Sequence, residues 1–401
     1  MKTQGRSIVL VIVLLLIIGA IAYLEETKAG PSAGTPSGVS DDIPIATSTP
    51  TTITSTSTAM TVAARNALIA QKATQYPRAK EIVDPTGFIN TPEGSLGASS
   101  VPVTIAQYIG KKVILLDFWT YSCINCQRTL PYLTTWYKEY EDKGLVIIGI
   151  HTPEFDFEKD INNVTAATKE YGITYPVVLD SNYGTWDAYQ NQYWPHEYLI
   201  DVDGFIREDH IGEGGYTDTE TMIQTLLTER AQELGLTINI PSTPTVVNPA
   251  NQMLDISPET YFGAERNVTF MNGTAGQTGT QALTLPTTFT GAGFYLGGSW
   301  DFEQQYAQNT GEADVVFPFY SKYVYIVASA NTPTDVTVSI DGKPVGTLAG
   351  SDVVTKNGQS VVTISGSKLY NIVSLPNDAQ HTLELHIPNA GVQVFTLTFG
   401  S

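Results

Sequence analysis

The chain has 401 residues, with 40 acidic against 21 basic side chains and a formal net charge of −19. That length holds two ordinary domains, or one large one with tails. The negative balance excludes the basic face that a nucleic-acid partner requires, and two cysteines cannot staple a fold of this size.

Lys2 and Arg6 precede an apolar run from Ile8 to Leu24. A positive flank before a span slightly short of roughly 20 residues predicts a single N-terminal membrane helix within residues 1–24. A second reading stands beside it. Ala20-Ile21-Ala22 has the small-residue pattern of a signal-peptide cleavage site, so the same segment reads as a removed leader. Both readings export the rest of the chain. The domains then lie outside the cytoplasm, in the periplasm or at the cell exterior: anchored in the first case, secreted in the second. Residues 25–80 are rich in Ser, Thr and Pro and read as a flexible tether. A short helical pattern, Val62 to Ala73, lies within it and is closed by Tyr76-Pro77.

From 81 to 236 the elements alternate. Gly87–Asn90 reads as a strand and Val103–Ile109 as a helical turn. Val113–Trp119 reads as a strand, and the continuous apolar run Val113–Leu116 that begins it suits burial on both faces. Asn125–Glu141 is a helical pattern with Leu130, Leu133, Trp136 and Tyr137 on one face. Strand Leu145–His151, helix Phe157–Tyr171, strand Pro176–Leu179 and short helix Tyr183–Gln190 come next. Strands Glu197–Asp201 and Phe205–Ile211 are joined by the hairpin signal Asp203-Gly204, and helix Thr217–Leu234 comes last. A βαβ unit followed by a hairpin and a helix is the order of an α/β thioredoxin-like fold. Pro241, Pro244 and Pro249 mark a linker over 237–254. Beyond it, residues 255–401 show alternating strands such as 336–340, 381–387 and 392–399, with turns at Asp341-Gly342 and Asn357-Gly358. They predict an all-β sandwich of jelly-roll type.

Cys123 and Cys126 form a C-x-x-C where the strand ending at Trp119 gives way to a helix. Such a pair is redox-active or binds metal. Zinc needs two further ligands, and no second C-x-x-C or nearby H-x-x-x-H exists, so the expectation is redox chemistry with no metal and no cofactor. The helix N-terminus favours a thiolate at Cys123, which makes it the nucleophile. Cys126, one turn later, resolves the mixed disulfide. An inert bridge is the other reading, but so small a ring stabilises a fold little. Asp117 sits among Ile114, Leu115 and Phe118. A carboxyl there has a raised pKa suited to moving the resolving thiol's proton, unless it is a solvated strand end. Gly212-Glu213-Gly214 lacks the spacing and lysine of a phosphate loop.

Four strings carry a resemblance: D-F-W-T-Y-S-C-I-N-C at 117–126, H-T-P-E-F at 151–155, N-Q-Y-W-P at 191–195 and G-E-G-G-Y at 212–216. Together they resemble the thioredoxin-like domain of the DipZ group, near the TlpA/ResA-type extracytoplasmic thiol-disulfide oxidoreductases. S-P-E-T-Y-F-G at 257–263, L-Y-N-I-V at 369–373 and F-T-L-T-F-G at 395–400 resemble the β-sandwich that comes after this domain in the same group.

The resemblance implies that Asp117 lies beneath the second cysteine. It puts Glu154 beside the active site as a tuner of the thiols; the bare sequence reads Glu154 equally as a first-turn carboxylate of the next helix. It makes Pro195 the cis-proline that exposes the Trp194 backbone to an extended substrate. Trp194 and His196 would then flank the substrate groove. His196 stands where a small residue is expected, and either adds positive charge near the thiolate or sits in solvent. Trp119 and Tyr121 wall the site or belong to the core, and His151 is structural.

DipZ proteins usually carry a multi-span, CcdA-like region, so a separate membrane electron-transfer protein of CcdA or DsbD type is the implied redox partner. The activity implied is reduction of disulfide-containing protein substrates, as in cytochrome c maturation or envelope quality control. Two alternatives remain. Thr120-x-x-Cys123 matches the peroxiredoxin T-x-x-C without its earlier proline, which would make the chain a thiol peroxidase. A carbohydrate-binding-module-like tail would make it a scaffold on wall glycan. Rings such as Tyr261, Phe262, Phe294, Tyr295, Trp300, Phe302 and Tyr306 stack on sugars in that case and form the core otherwise.

Overall fold

The computed structural model describes residues 52–55, 59–91, 102–241, 243–245, 256–291 and 293–400. The expected membrane helix and the tether up to residue 51 lie outside the described residues. Among the described residues no helix is long and apolar enough to cross a membrane.

The first body is a six-stranded mixed sheet. Its strands are β2 (Gly87–Ile89), β3 (Val113–Trp119), β4 (Leu145–His151), β5 (Val177–Leu179), β6 (His196–Ile200) and β7 (Ile206–Ile211), in the order β2-β5-β4-β3-β6-β7. β3 pairs in parallel with β4 and antiparallel with β6, so it lies in the middle. Every residue of β3 and β4 is buried, Asp117 and His151 among their otherwise largely apolar residues included. Side chains alternate across this sheet. Val113, Leu115, Trp119 and Leu199 pack with Leu130, Leu133 and Trp136 of helix α2 (Ile124–Tyr140) and Ile223 and Leu226 of α5 (Tyr216–Leu234). Ile114, Leu116, Phe118, Tyr198 and Ile200 form a separate core on the other face. Fully burying each such side chain contributes about 2 kcal/mol. This is the thioredoxin-like arrangement expected from the element order.

The expected helix 157–171 is divided. A 3₁₀ turn, Asp156–Lys159, precedes α3 (Ile161–Glu170), which starts afresh at Asp160, whose side chain accepts from the Asn162 N–H. The short α4 spans Gly184–Ala188. Val103–Ile109 ends in turns, with no helix.

The fold also reaches further toward the N-terminus than composition suggests. Helix α1 (Val62–Lys72) docks through Lys72, whose Nζ lies 2.8 Å from Asp203, 2.8 Å from Glu233 and 3.0 Å from Asp201. Burial alone would lower the Lys72 pKa; the carboxylates outweigh it and raise it. Strand β1 (Thr52–Ser55) pairs antiparallel with β8 (Ile238–Pro241), joining segments that read as tether and linker.

The second body is all-β: β9 (Thr260–Tyr261), β10 (Gly279–Leu283), β11 (Tyr295–Phe302), β12 (Ala307–Ala330), β13 (Thr334–Ile340), β14 (Lys343–Pro344), β15 (Val353–Lys356), β16 (Gln359–Ile364), β17 (Lys368–Ile387) and β18 (Val392–Gly400). They form one antiparallel ten-stranded sheet. The long β12 and β17 pair along most of their length with a register shift at Ser321/Tyr323, and β18 pairs with the far half of β12. Phe262, Phe294, Trp300 and Phe302 are buried in this core, so these rings are packing and present no sugar-stacking face. Tyr261 and Tyr306 pack with Phe155, Phe157 and Phe395 where the two bodies meet.

Candidate active site

Cys123 caps α2. Its backbone is extended (φ −79, ψ 119), and its Sγ accepts from the Cys126 N–H at 3.4 Å. Both thiols are free; Cys123 is half-buried and Cys126 is buried. The Cys123 thiol also points at the Trp194 carbonyl, 3.8 Å away. Trp194-Pro195 is a cis peptide bond at the start of β6. The accessible nucleophile is thus met by one helix N–H and one backbone carbonyl. Burial pushes the Cys126 thiol well up, and the nearby Cys123 and Asp117 add to this.

Asp117 lies on the α2 face of β3, as the alternation of side chains demands. It is 1% exposed, and neither carboxylate oxygen has a hydrogen-bond partner among the described residues. Burial lifts its pKa to about 8. A carboxyl that ionises near neutrality beside a reluctant thiol suits proton transfer.

Glu154 is turned elsewhere. Its Oε1 accepts from Arg266 at 2.7 Å and from the Tyr261 hydroxyl at 2.9 Å, both on the second body. Trp194 is half-buried; its indole donates to the Thr152 carbonyl at 3.0 Å and packs 4.3 Å from the Trp186 ring. His196 is buried on the opposite sheet face from Cys126. It is held between Asn191 and Asp209, with its ring 4.2 Å from Tyr198. The reason is parity: 196, 198 and 200 face one way, 197 and 199 the other. Trp119 is fully buried beneath the site. Tyr121 is buried, stacks on His151 and donates to the Ser367 carbonyl at 3.1 Å. Burial lowers the His151 pKa to about 3, so it stays neutral. The structure therefore gathers Cys123, Cys126, Asp117, Trp194 and Pro195, and places Glu154, His196 and Trp119 away from the thiols' open side.

Two acids escape a reading of the sequence. Glu158 is fully buried and accepts from the Ser122 N–H and hydroxyl and from the Glu154 and Phe155 N–H groups, tying the C-x-x-C approach to the loop after β4. Burial raises its pKa, with the Glu154 charge adding to this and the hydrogen bonds from Ser122 and the Phe155 N–H opposing it. Glu197, buried and directly opposite Asp117, has its pKa raised well above normal by burial and by Asp117. Its one sequence signal is an acid within H-E-Y-L-I, a strand otherwise packed into the sheet.

Beside the thiols runs a cavity of about 600 Å³ between the bodies. Tyr121, Ile124 and Arg128 line one side, and Tyr325, Ser367 and Lys368 the other.

Residues 257–400 match the family model "Thioredoxin like C-terminal domain", and residues 91–209 match that of the AhpC/TSA family. The chain is 38% identical to Protein DipZ of Mycobacterium bovis over 317 residues, covering 79% of this chain. It spans only 42% of that relative's length. It is 31% identical to the thiol-disulfide oxidoreductase YkuV of Bacillus subtilis, over 32% of this chain and 85% of YkuV. Against the thiol-disulfide oxidoreductase ResA of Bacillus thuringiensis it is 27% identical, over 31% of this chain and 75% of ResA.

Proposed function

The chain belongs to the thioredoxin-like thiol-disulfide oxidoreductases, and from that premise we propose that it reduces disulfides of protein substrates outside the cytoplasm. The observation that carries this reading is the geometry of Cys123: a half-buried thiol at a helix N-cap, met by the Cys126 N–H and the Trp194 carbonyl. Cys123 attacks a substrate sulfur, and one substrate thiolate leaves. Cys126 then attacks Cys123, releasing the second thiolate and closing the Cys123–Cys126 bond. Asp117 takes the Cys126 proton. A separate membrane dithiol protein of CcdA or DsbD type returns the site to the dithiol. Cytochrome c maturation and envelope quality control are the uses this reading favours. Export rests on the apolar run Ile8–Leu24.

Trapping tests it. Cys126→Ser should hold substrates as mixed disulfides on Cys123 that dissolve on reduction, and the double serine variant should hold none. A reduction potential above about −150 mV would reverse the proposed direction of electron flow.

A match to the AhpC/TSA family supports a second reading, thiol peroxidase. Against it, the Thr120 hydroxyl faces His151 at 3.5 Å. A peroxide rate on Cys123 no faster than that of a free thiol would remove it.

A further inference from the structure

Asp117, Glu197 and His210 form a single transverse row. Asp117 lies directly opposite Glu197 across β3 and β6, and Glu197 directly opposite His210 across β6 and β7. Residues paired in this way share a face of the sheet, with Cβ atoms about 4.5–5.5 Å apart. The row therefore starts under Cys126 and ends at the sheet's outer strand, where His210 is half-buried against Gly215.

Polar atoms along this row lack protein partners. Both Asp117 oxygens, Glu197 Oε1 and His210 Nε2 are buried and have no hydrogen-bond partner among the described residues. The Tyr175 hydroxyl, which feels the charges of Asp117, Glu197 and Cys126, is orphaned too. A buried carboxyl with no donor is costly, and two facing each other more so. Neither can be explained by packing: Leu at 197 would suit a strand face that already holds Leu199. Groups this close pass protons directly or across one bridging water.

We propose that Asp117, Glu197 and His210 form a buried proton relay that carries the proton of Cys126 out to solvent at the sheet's outer strand. The proposal rests on the thiol-disulfide reading of the site. In the resolving step the Cys126–H bond breaks, its electron pair makes the Cys123–Cys126 bond, and the Cys123–substrate bond breaks with the substrate sulfur keeping that pair. The proton goes to Asp117 and its charge moves on to Glu197. His210 takes a proton on one ring nitrogen and releases one from the other. No further reagent is consumed. Glu197 and His210 are positioning residues, since neither touches the reacting sulfurs. The other titratable groups facing Glu197 are Glu208 on β7 and Tyr216 on α5.

The test uses the full chain, an oxidised model peptide and rapid mixing that resolves mixed-disulfide formation from its resolution. Glu197→Gln keeps shape and removes the proton site; His210→Gln is the second variant. Both should leave the first attack by Cys123 unchanged. Both should slow resolution roughly tenfold, less than the roughly 10²–10⁴-fold of a group that exchanges the reacting proton directly, and flatten its pH profile. Glu197→Asp should restore part of the rate. Wild-type resolution rates and pH profiles in both glutamine variants would overturn the relay. A silent His210→Gln beside an impaired Glu197→Gln would overturn its exit through His210. Failure of the parent chain to form any mixed disulfide would instead remove the underlying reading, which keeps the two failures distinct.

Discussion

The Glu154 carboxylate accepts a 2.7 Å hydrogen bond from Arg266, which also lies 3.7 Å over the Tyr261 ring. An acid expected to tune the thiols instead clamps the loop after β4 to the second body. Glu154→Ala leaves a half-buried guanidinium without its partner and should cost about 1–3 kcal/mol in urea unfolding. The rate at which Cys123 attacks an aromatic disulfide should change less than about threefold. A large rate effect without a stability effect would return Glu154 to the thiols.

Asp117 couples stability to pH. Its folded pKa is raised from 3.8 to about 8. Between those values the folded chain binds more protons than the unfolded one, so stability falls as pH rises through the window. Full ionisation corresponds to roughly 6 kcal/mol, as an upper bound. Asp117→Asn should therefore be near neutral at pH 4 and increasingly stabilising toward pH 8, while slowing resolution by Cys126. Equal effects on unfolding free energy at both pH values would contradict this assignment.

Lys72 anchors α1. Its ammonium satisfies three carboxylates that are nearly inaccessible to water. Removing one partner of a buried ionic cluster leaves uncompensated charge, and Lys72→Ala should destabilise the chain by about 3–5 kcal/mol. Thermal unfolding reads this directly. A loss below about 1 kcal/mol would mean that α1 contributes little to the fold.

The features legible in the sequence are those with a physical period. The apolar runs of β3 and β4, the helical face of α2 and the Asp203-Gly204 hairpin are local patterns, and the structure contains each of them. So is the C-x-x-C at a helix start. The side to which an acid turns is not local. Glu154 needed the position of Arg266, 112 residues away, and Glu158 needed Ser122, 36 residues before it. The neighbouring Pro195 points to the groove for His196, whereas strand alternation sends its ring to the other face of the sheet. Composition marks a tether and a linker and carries no sign that Thr52–Ser55 and Ile238–Pro241 pair with each other.

Glu158 gives the most exacting test of how the loop before Cys123 is held. Its two oxygens accept four hydrogen bonds, at 2.6 and 3.3 Å from Ser122 and at 2.6 and 2.9 Å from the Glu154 and Phe155 N–H groups. Each donor lost to a buried site costs about 1–3 kcal/mol. Glu158→Ala should therefore lower stability by about 3 kcal/mol or more and loosen Ser122, the residue before the nucleophile. Glu158→Gln keeps the shape, but its amide NH₂ group opposes two of the donors, so it should recover only part of the loss. Unfolding in urea gives the first number, and the rate of Cys123 with an aromatic disulfide gives the second. Both should fall together, because one carboxylate holds both the fold of the loop and the position of the thiol. If stability falls while the rate stays at the parent value, Cys123 is positioned by the helix N-cap alone.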